Sequence, residues 1–227
     1  MNLAFIPVRG GSKSIPLKNI KPINGKPLVY WTAFAAQNSK CIDKIIIATD
    51  SEEIKSTVLS FGFSKLEVYD RDSENAQDTA STESVMLEYI NKSNLNDEDL
   101  FFLIQATSPM LKSEHIDGMY EEFSKNDSDS MFTGVLEKQF KWIGVNSKDG
   151  LKPVNYDYTN RPRRQDFEGL IAENGACYIN FVKNIKRDKC RLSGKITAYK
   201  LPNYTAYEID EPTDWIIVEE LMKKVKD

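Results

Sequence analysis

Three basic residues and two glycines lie close together near the amino end of the chain. Arg9, Gly10, Gly11, Lys13 and Lys18 follow the apolar run LAFIPV within ten positions of one another. Because glycine has no Cβ, successive backbone N–H groups can turn inward around an anion, and the basic side chains would balance its charge. The pattern indicates a phosphate-binding loop, and the alternative is a solvated basic turn.

This segment differs from the common phosphate-binding motifs. RGGSKSI has neither the GxxxxGK[ST] order of a P-loop nor the three-glycine spacing of a dinucleotide-binding turn. Pro16 disfavours the helical conformation at Ile15, so the loop should not lead directly into a helix. We therefore expect loop amides and side chains, rather than a helix dipole, to bind the anion.

A pair of carboxylates near the carboxyl end is the second candidate site. Glu208 and Asp210 flank Ile209 in YEIDEPTDW, and in an extended segment they would project from one face, about 7 Å apart at the backbone. Mg²⁺ prefers hard oxygen ligands and is usually completed by substrate phosphates. The pair therefore predicts a Mg²⁺ site. The alternative is capping of the next helix, a role that Glu211 and Asp214 fit better.

The elements that must position these residues alternate along the chain. Apolar strand-like runs at 3–8, 44–50, 66–70 and 100–106 alternate with helical patterns at 26–39, 81–92 and 113–125. A further helix is expected to begin at a capping box formed by Asp50 and Glu53 and to end near Gly62. This order is typical of an α/β domain with a largely parallel sheet. After residue 125 the strand-like pieces SMFTGVLE, KWIGVN, ACYINF and KITAYKL predict a more β-rich part, closed by a helix at 213–226. Segment 9–19 would then leave the first strand at its carboxyl end, where such sheets bind ligands.

Composition excludes several classes of protein. The chain has 227 residues, 41% of them apolar, and its 30 basic residues are balanced by 34 acidic ones without a basic block for nucleic acid or membrane. The three cysteines lack CxxC spacing, so neither a disulfide framework nor a zinc site is expected, and we place the protein in the cytoplasm. The sole histidine, His115, is expected at the surface or its boundary, which leaves no Ser-His-Asp chemistry.

Four motifs carry a family resemblance. IPVRGGSKSIPLKN, DTASTES, IQATSP and RPRRQDF…ENGACYI occur in this order and resemble the acylneuraminate cytidylyltransferases, the CMP-sialic acid synthetases, over nearly the whole chain. The resemblance implies one three-layer αβα nucleotidyltransferase-type domain over residues 1–227 with a mostly parallel mixed sheet. It also implies a homodimer in which a small β-rich extension, residues 137–170, projects over the neighbouring active site.

The implied reaction uses CTP, Mg²⁺ and a nine-carbon 2-keto sugar acid, N-acetylneuraminate or a close relative such as Kdn, and releases the CMP-sugar and pyrophosphate. Two alternatives stay open. The same reaction could act on Kdo, legionaminate or pseudaminate, or the chain could be a non-catalytic nucleotide-sugar binding module.

The resemblance implies roles for individual residues. The catalytic residues would be Arg9, Lys18 and Asp210, and the metal ligands Asp210 and Glu208. The nucleotide would contact Val8, Gly10, Gly11, Ser12, Lys13, Asn19, Arg71, Ala80 and Thr82. The sugar acid would contact Gln105, Thr107, Ser108, Lys141, Arg164, Gln165 and Asn174, with Lys141 acting across the dimer interface and the Arg164 fork suited to a carboxylate. For residues 79–84 an ordinary helix cap is the alternative.

Overall fold

The computed structural model describes residues 1–12, 14–77 and 80–225, and its centre is a seven-stranded sheet. The strands, in chain order, are β1 (Asn2–Pro7), β2 (Pro22–Ile23), β3 (Lys26–Pro27), β4 (Lys44–Thr49), β5 (Leu66–Asp70), β6 (Leu100–Ile104), β7 (Ser130–Glu137), β8 (Trp142–Ile143), β9 (Lys152–Pro153), β10 (Leu170–Phe181) and β11 (Ile196–Lys200). The central sheet has the order β11-β7-β10-β6-β1-β4-β5, while β2–β3 and β8–β9 form separate two-stranded pairs.

Six α-helices and four 3₁₀ turns connect the strands in the described ranges. The helices are α1 (Leu28–Asn38), α2 (Glu52–Leu59), α3 (Thr82–Lys92), α4 (Ser113–Lys125), α5 (Val182–Asp188) and α6 (Pro212–Lys224). The 3₁₀ turns are Lys18–Ile20, Ser73–Ala76, Tyr158–Asn160 and Asn203–Ala206.

The predicted sheet type is confirmed. Strand β1 is parallel to both β4 and β6, β4 is parallel to β5, and β11 is parallel to β7. Strand β10 runs antiparallel to β6 and β7, so the sheet is mixed but mostly parallel. The carboxyl ends of β1, β4, β5 and β6 therefore meet at one edge, where the candidate residues were expected.

Helices cover both faces of the sheet, which gives the three-layer arrangement. Along β1, Leu3 and Phe5 pack into one apolar cluster with α3 and α5, whereas Ala4 and Ile6 pack into another with α1, α2 and α4. This split follows from the two-residue period of a strand, whose successive side chains point to opposite faces. A third cluster joins α6 to the start of α1 and includes the buried Ile209.

Some local predictions are wrong. Helix α2 is capped by Ser51, whose Oγ accepts a hydrogen bond from the Ile54 N–H at 3.4 Å, so the capping box from Asp50 does not form. Asp50 instead accepts a hydrogen bond from the opening loop, as described below. His115 is buried and not at the surface, because it faces inward from the first turn of α4. The β2–β3 pair and α5 were not predicted.

The extension, residues 137–170, is built differently from the sheet. It contains the short pair β8–β9 and a 3₁₀ turn, and its side chains Trp142, Ile143 and Val154 are exposed. In the part of the chain that the structure describes, no helix combines the length and apolarity needed to span a membrane.

Candidate active site

The opening loop and the acidic segment meet in space. Lys18 Nζ donates hydrogen bonds to the Ile209 carbonyl oxygen at 2.7 Å and to Asp210 Oδ1 at 3.1 Å. The Lys18 side chain is only 13% exposed, so it is held between the two segments. Residues from the two ends of the sequence thus form one charged site at the carboxyl edge of the sheet.

Backbone and side-chain hydrogen bonds fix the shape of the opening loop. The Gly10 N–H donates to Asp50 Oδ1 at 2.9 Å, and Asn19 Nδ2 donates to the Arg9 carbonyl oxygen at 3.0 Å. A Cβ on Gly10 would lie 3.0 Å from the Cβ of Ser51, a tight contact that would require Ser51 to shift. The loop passes close to the start of α2 without being part of a helix.

A cleft of about 290 Å³ opens beside this loop. Its walls come from three parts of the chain, the loop that follows β1, the segment from the end of β5 to α3, and the turn that follows β6. Eight of the predicted site residues line it: Arg9, Lys18, Asn19, Arg71, Ala80, Thr82, Gln105 and Thr107.

Four other residues predicted to contact the nucleotide lie elsewhere. The Val8 side chain is buried in the core, and its N–H donates to the Ala48 carbonyl oxygen at 2.9 Å. Gly10, Gly11 and Ser12 belong to the loop but do not line the cleft. Lys13 lies outside the described residues.

Arg71 forms one wall of the cleft. Its Nε donates to the Ala48 carbonyl oxygen at 3.0 Å, which ties the side chain to the end of β4. Burial lowers the pKa of Arg71, and the charges of Asp50 and Glu88 oppose this effect while Arg9 adds to it. Arg71 therefore remains a fixed cation that can offer hydrogen bonds to a ligand.

The start of α3 forms the neighbouring wall. Ser81 caps the helix, accepting a hydrogen bond at its Oγ from the Ser84 N–H at 3.0 Å, as the alternative interpretation of this segment expects. Asn75 and Gln77 also line the cleft and were missed by the sequence analysis. They lie in a polar stretch of the sequence with no periodicity. Their position at the cleft is seen only in the structure, where a 3₁₀ turn carries Asn75.

The acidic segment alternates as predicted. Ile209 is fully buried, whereas Glu208 and Asp210 on either side of it are exposed. The Ile209 N–H donates to the Thr107 carbonyl oxygen at 2.9 Å, which joins this segment to the turn after β6. Capping of α6 falls to Asp214, whose Oδ2 accepts from the Glu211 N–H at 2.7 Å.

Glu208 lies against a glycine. A Cβ at Gly175 would be 3.0 Å from Glu208 Oε2, and Gly175 has a φ of +68°, which other residues rarely adopt. Although Glu208 as a whole is exposed, partial burial of its carboxylate raises its pKa, and the nearby charge of Asp210 adds to this effect. A carboxylate whose charge is disfavoured in this way is a suitable place for a cation.

The donor set fits one kind of metal ion. Within the described residues no group of three or more His, Cys, Asp or Glu side chains could enclose a metal. Glu208 and Asp210 offer two carboxylates beside the cleft, which suits an ion that takes its remaining ligands from substrate phosphates and water. Asp210 would then bind the ion while also accepting the hydrogen bond from Lys18 Nζ.

The predicted sugar-binding residues divide into two groups. Gln105 and Thr107 line the cleft, and Ser108 next to them is buried with an Oγ that has no hydrogen-bond partner in the described structure. Asn174 is buried away from the cleft. Its amide oxygen accepts from Thr133 Oγ1 at 2.8 Å and its nitrogen donates to the Thr205 carbonyl oxygen at 3.1 Å. The structure therefore gives Asn174 a role in joining strands, because its amide is already engaged at both ends.

The remaining sugar-binding candidates lie in the extension. A cavity of about 650 Å³ there is lined by Arg164 together with Lys138 and Arg161. Lys141 forms an ion pair with Glu137, and the Gln165 carbonyl oxygen faces Lys138 Nζ at 3.5 Å. None of the three predicted residues, Lys141, Arg164 and Gln165, lines the cleft within one chain.

A larger cavity of about 690 Å³ lies elsewhere, between α1, α4 and the end of α6. Its walls are mostly apolar and include Trp31, Phe34, Met110 and Met222. Size alone would favour it, but it lacks the arginines that line the cleft and the contact with Asp210 that Lys18 makes there. We place the candidate active site in the smaller cleft because the charged groups converge there.

The architecture agrees with that of known nucleotidyltransferases. A solved CMP:2-keto-3-deoxy-manno-octonic acid synthetase complexed with CTP matches 98% of this chain with a TM-score of 0.71 at 17% identity, over 98% of its own chain. A 4-diphosphocytidyl-2C-methyl-D-erythritol synthase from Anaerococcus prevotii also has a TM-score of 0.71, at 14% identity and 98% coverage of both chains. At these identities the likeness concerns the fold. This chain therefore shares its fold with these two synthases.

The family follows from the sequence comparisons. The family model for cytidylyltransferases matches residues 3–221, and this chain belongs to that family. An N-acylneuraminate cytidylyltransferase from Oncorhynchus mykiss is 37% identical over 96% of this chain. One from Streptococcus agalactiae serotype V is 31% identical over 95% of it.

Relative length differs among these proteins. The chain spans about half the length of the curated N-acylneuraminate cytidylyltransferases, 49% of the Oncorhynchus mykiss protein and 52% of the streptococcal one. A CMP-N,N'-diacetyllegionaminic acid synthase from Legionella pneumophila is 30% identical over 97% of this chain and 96% of its own length.

Proposed function

We propose that this protein transfers CMP from CTP to the anomeric hydroxyl of a nine-carbon 2-keto sugar acid and releases pyrophosphate. N-acetylneuraminate or a close relative such as Kdn is the proposed acceptor. The observation that carries the proposal is the position of Lys18, which joins the glycine loop to the acidic segment at the mouth of the cleft. The named relatives support the same reaction.

Some of the site residues would stabilise charge and others would align the substrates. Arg9 and Lys18 would bind the triphosphate and stabilise the charge that develops as the bond from the α-phosphorus to pyrophosphate breaks. Arg71 and the start of α3 would hold the base and ribose on the other wall. Gln105 and Thr107 would orient the acceptor hydroxyl toward the α-phosphorus, because phosphoryl-type transfer depends mainly on positioning.

Mg²⁺ is the proposed cofactor. Asp210 and Glu208 would hold it, and when bound it would supply positive charge to the phosphate oxygens. The half-buried carboxylate of Glu208 supports this role, since a cation would offset the burial and repulsion that raise its pKa.

The assembly and the compartment belong to the same proposal. We propose a homodimer in which the extension carries Lys141, Arg164 and Gln165 to the neighbouring cleft, since within one chain none of the three lines the cleft and Arg164 lines a separate cavity. The exposed apolar side chains of the extension support a contact there. The cysteines are all unpaired, which suits the proposed cytoplasmic location.

Pyrophosphate release from CTP tests the proposal. Purified protein would be assayed with Mg²⁺ and a panel of acids, N-acetylneuraminate, Kdn, legionaminate, pseudaminate and Kdo. Legionaminate is included because the Legionella relative is named for a diacetyl form of it. We expect turnover with at least one nine-carbon acid. CTP binding by calorimetry without product from any of them would instead indicate a binding module.

The variant Arg9→Ala tests the site. It should fold normally and lose most turnover, because Arg9 lines the cleft beside Lys18. Full turnover in that variant, with a circular dichroism spectrum like that of the wild type, would contradict the assignment.

A further inference from the structure

Glu88 on α3 is a buried carboxylate that the reaction does not explain. Its Oε1 accepts hydrogen bonds from Tyr69 Oη at 2.5 Å and from the Asp72 N–H at 2.9 Å, and its Oε2 accepts from Asn75 Nδ2 at 2.5 Å. The three donors belong to the segment that runs from the end of β5 through the 3₁₀ turn Ser73–Ala76. Glu88 therefore ties one wall of the cleft to α3.

The chemistry of these groups sets the orientation of one side chain in the cleft. An ionised carboxylate only accepts hydrogen bonds, so the Asn75 amide must turn its nitrogen toward Glu88. Burial opposes ionisation of Glu88, but the hydrogen bonds from Tyr69, Asn75 and the Asp72 N–H lower its pKa, and it is charged at neutral pH. Asn75 Oδ1 accepts no hydrogen bond from the described residues, and Asn75 lines the cleft.

We infer that Glu88 is a positioning residue that makes Asn75 present its amide oxygen to the base of the bound nucleotide. An amide oxygen accepts a hydrogen bond from the exocyclic amino group of cytosine, whereas uracil offers a carbonyl oxygen at that position. Two facing acceptors leave both groups unpaired, which is an effective way to reject the wrong base. The inference deepens the proposed function and rests on it, because it takes the ligand of the cleft to be CTP.

Asp117 on α4 offers a matched control. Its carboxylate also accepts hydrogen bonds from three donors, Ser39 Oγ at 2.6 Å and the N–H groups of Lys40 at 2.9 Å and Cys41 at 3.1 Å. These donors lie just before β4, at the amino edge of the sheet and away from the cleft. Replacing Asp117 should therefore destabilise the protein as replacing Glu88 does, but it should not change the contacts with the base of the nucleotide.

The experiment compares CTP and UTP binding by calorimetry in Mg²⁺ buffer for the wild type, Asn75→Ala, Glu88→Gln and Asp117→Asn. Asn75→Ala should weaken CTP binding about tenfold and leave UTP binding nearly unchanged. In Glu88→Gln the new amide can donate to Asn75 Oδ1, so the Asn75 amide can turn over and present its nitrogen. The ratio of CTP to UTP affinity should then fall about tenfold, partly through tighter UTP binding. Asp117→Asn should melt at a lower temperature with the wild-type ratio.

An unchanged ratio in either Asn75→Ala or Glu88→Gln would overturn the inference, and Glu88 would then be structural in the way that Asp117 is. If Glu88→Gln fails to fold, an unchanged ratio in Asn75→Ala still overturns the inference. The binding ratio needs no turnover, so it is independent of the acceptor. Selective CTP binding that changes as described, without pyrophosphate release from any acid, would reject the proposed function and keep this inference.

Discussion

The cleft and the extension are stabilised in different ways. The walls of the cleft are bonded to buried parts of the domain, as when Arg71 Nε donates to the Ala48 carbonyl oxygen in β4 at 3.0 Å and Lys18 Nζ donates to the Ile209 carbonyl oxygen before α6 at 2.7 Å. The extension is held largely by its own aromatic contacts. Phe140 packs on Tyr156 with ring centroids 4.3 Å apart, and Trp142 on Tyr158 at 6.0 Å.

This difference separates two tasks. A nucleotide needs rigid, buried partners, because base selection and phosphate alignment both depend on groups that cannot move away. A partner subunit or an acceptor sugar can instead bind to an exposed surface, which becomes buried only when two chains associate. Trp142 is 42% exposed and Ile143 is 59% exposed, which is typical of apolar surface that becomes covered in an interface. Changes in the cleft should therefore affect chemistry, and changes in the extension should affect association.

The largest expected effect is at the phosphate end of the cleft. Lys18→Ala should lower turnover on the order of 10²–10³-fold, as loss of a preorganised charge at a developing anion does. Lys21→Ala is the control, because Lys21 lies three residues away and stacks its ammonium group over the Trp215 ring at 4.5 Å. Steady-state pyrophosphate release measures both. Equal activity in the two variants would remove Lys18 from the phosphate site.

The extension should respond in self-association. Trp142→Ala should weaken the proposed dimer about 30-fold, since truncating a tryptophan at the centre of an interface costs about 2 kcal/mol. Ile216→Ala is the control, because Ile216 is a large apolar residue on α6 that is 66% exposed outside the extension. Sedimentation velocity over a range of concentrations measures the dissociation constant. If neither variant changes it, the extension is not the dimer contact.

Gly175 tests the contact between the sheet and the acidic pair. Gly175→Ala introduces a Cβ 3.0 Å from Glu208 Oε2 at a φ of +68°, and should lower turnover about tenfold by displacing the carboxylate. Gly62→Ala carries a similar backbone strain, with a φ of +65°, but has no atom within 4 Å of the new Cβ. Both variants should lose about 1 kcal/mol of stability in denaturant titrations. Only Gly175→Ala should lose activity, and a matching loss in Gly62→Ala would mean that strain alone is responsible.

The repeating parts of the fold could be predicted from the sequence. The apolar runs of β4 and β6 and the helix Ser113–Lys125 have clear periods, and their alternation predicts a parallel sheet with ligands at its carboxyl edge. The pairing of Glu208 and Asp210 about a buried Ile209 was also visible, because strand geometry has a period of two. These features depend on local spacing alone.

Other features depend on contacts between distant segments. Asp50 has the spacing of a helix cap, yet it bonds to the Gly10 N–H, 40 residues away in the chain, and Ser51 caps the helix in its place. Asn174 belongs to a motif of the resemblance, but its amide is engaged by Thr133 and Thr205. Asn75 has no pattern around it. Tertiary hydrogen bonding of short polar side chains leaves no periodic signal in a sequence.

The pH dependence of stability should also differ between the two regions. The pKa of Glu88 in the folded protein lies below its ordinary value of 4.5, so its stabilising effect is present above about pH 4.5 and is lost as the pH falls through the lowered pKa. Glu88→Gln should cost roughly 1–3 kcal/mol at pH 7 because its buried donors lose a charged acceptor. Urea titrations should show this difference shrinking in acid. Asp157→Asn in the extension is the control, because the exposed Asp157 accepts hydrogen bonds from the nearby Thr159 at 2.7 and 2.9 Å, and solvent screening should keep its effect small at every pH. A cost for Glu88→Gln that stays constant down to pH 3 would show that geometry, and not the carboxylate charge, holds this wall of the cleft.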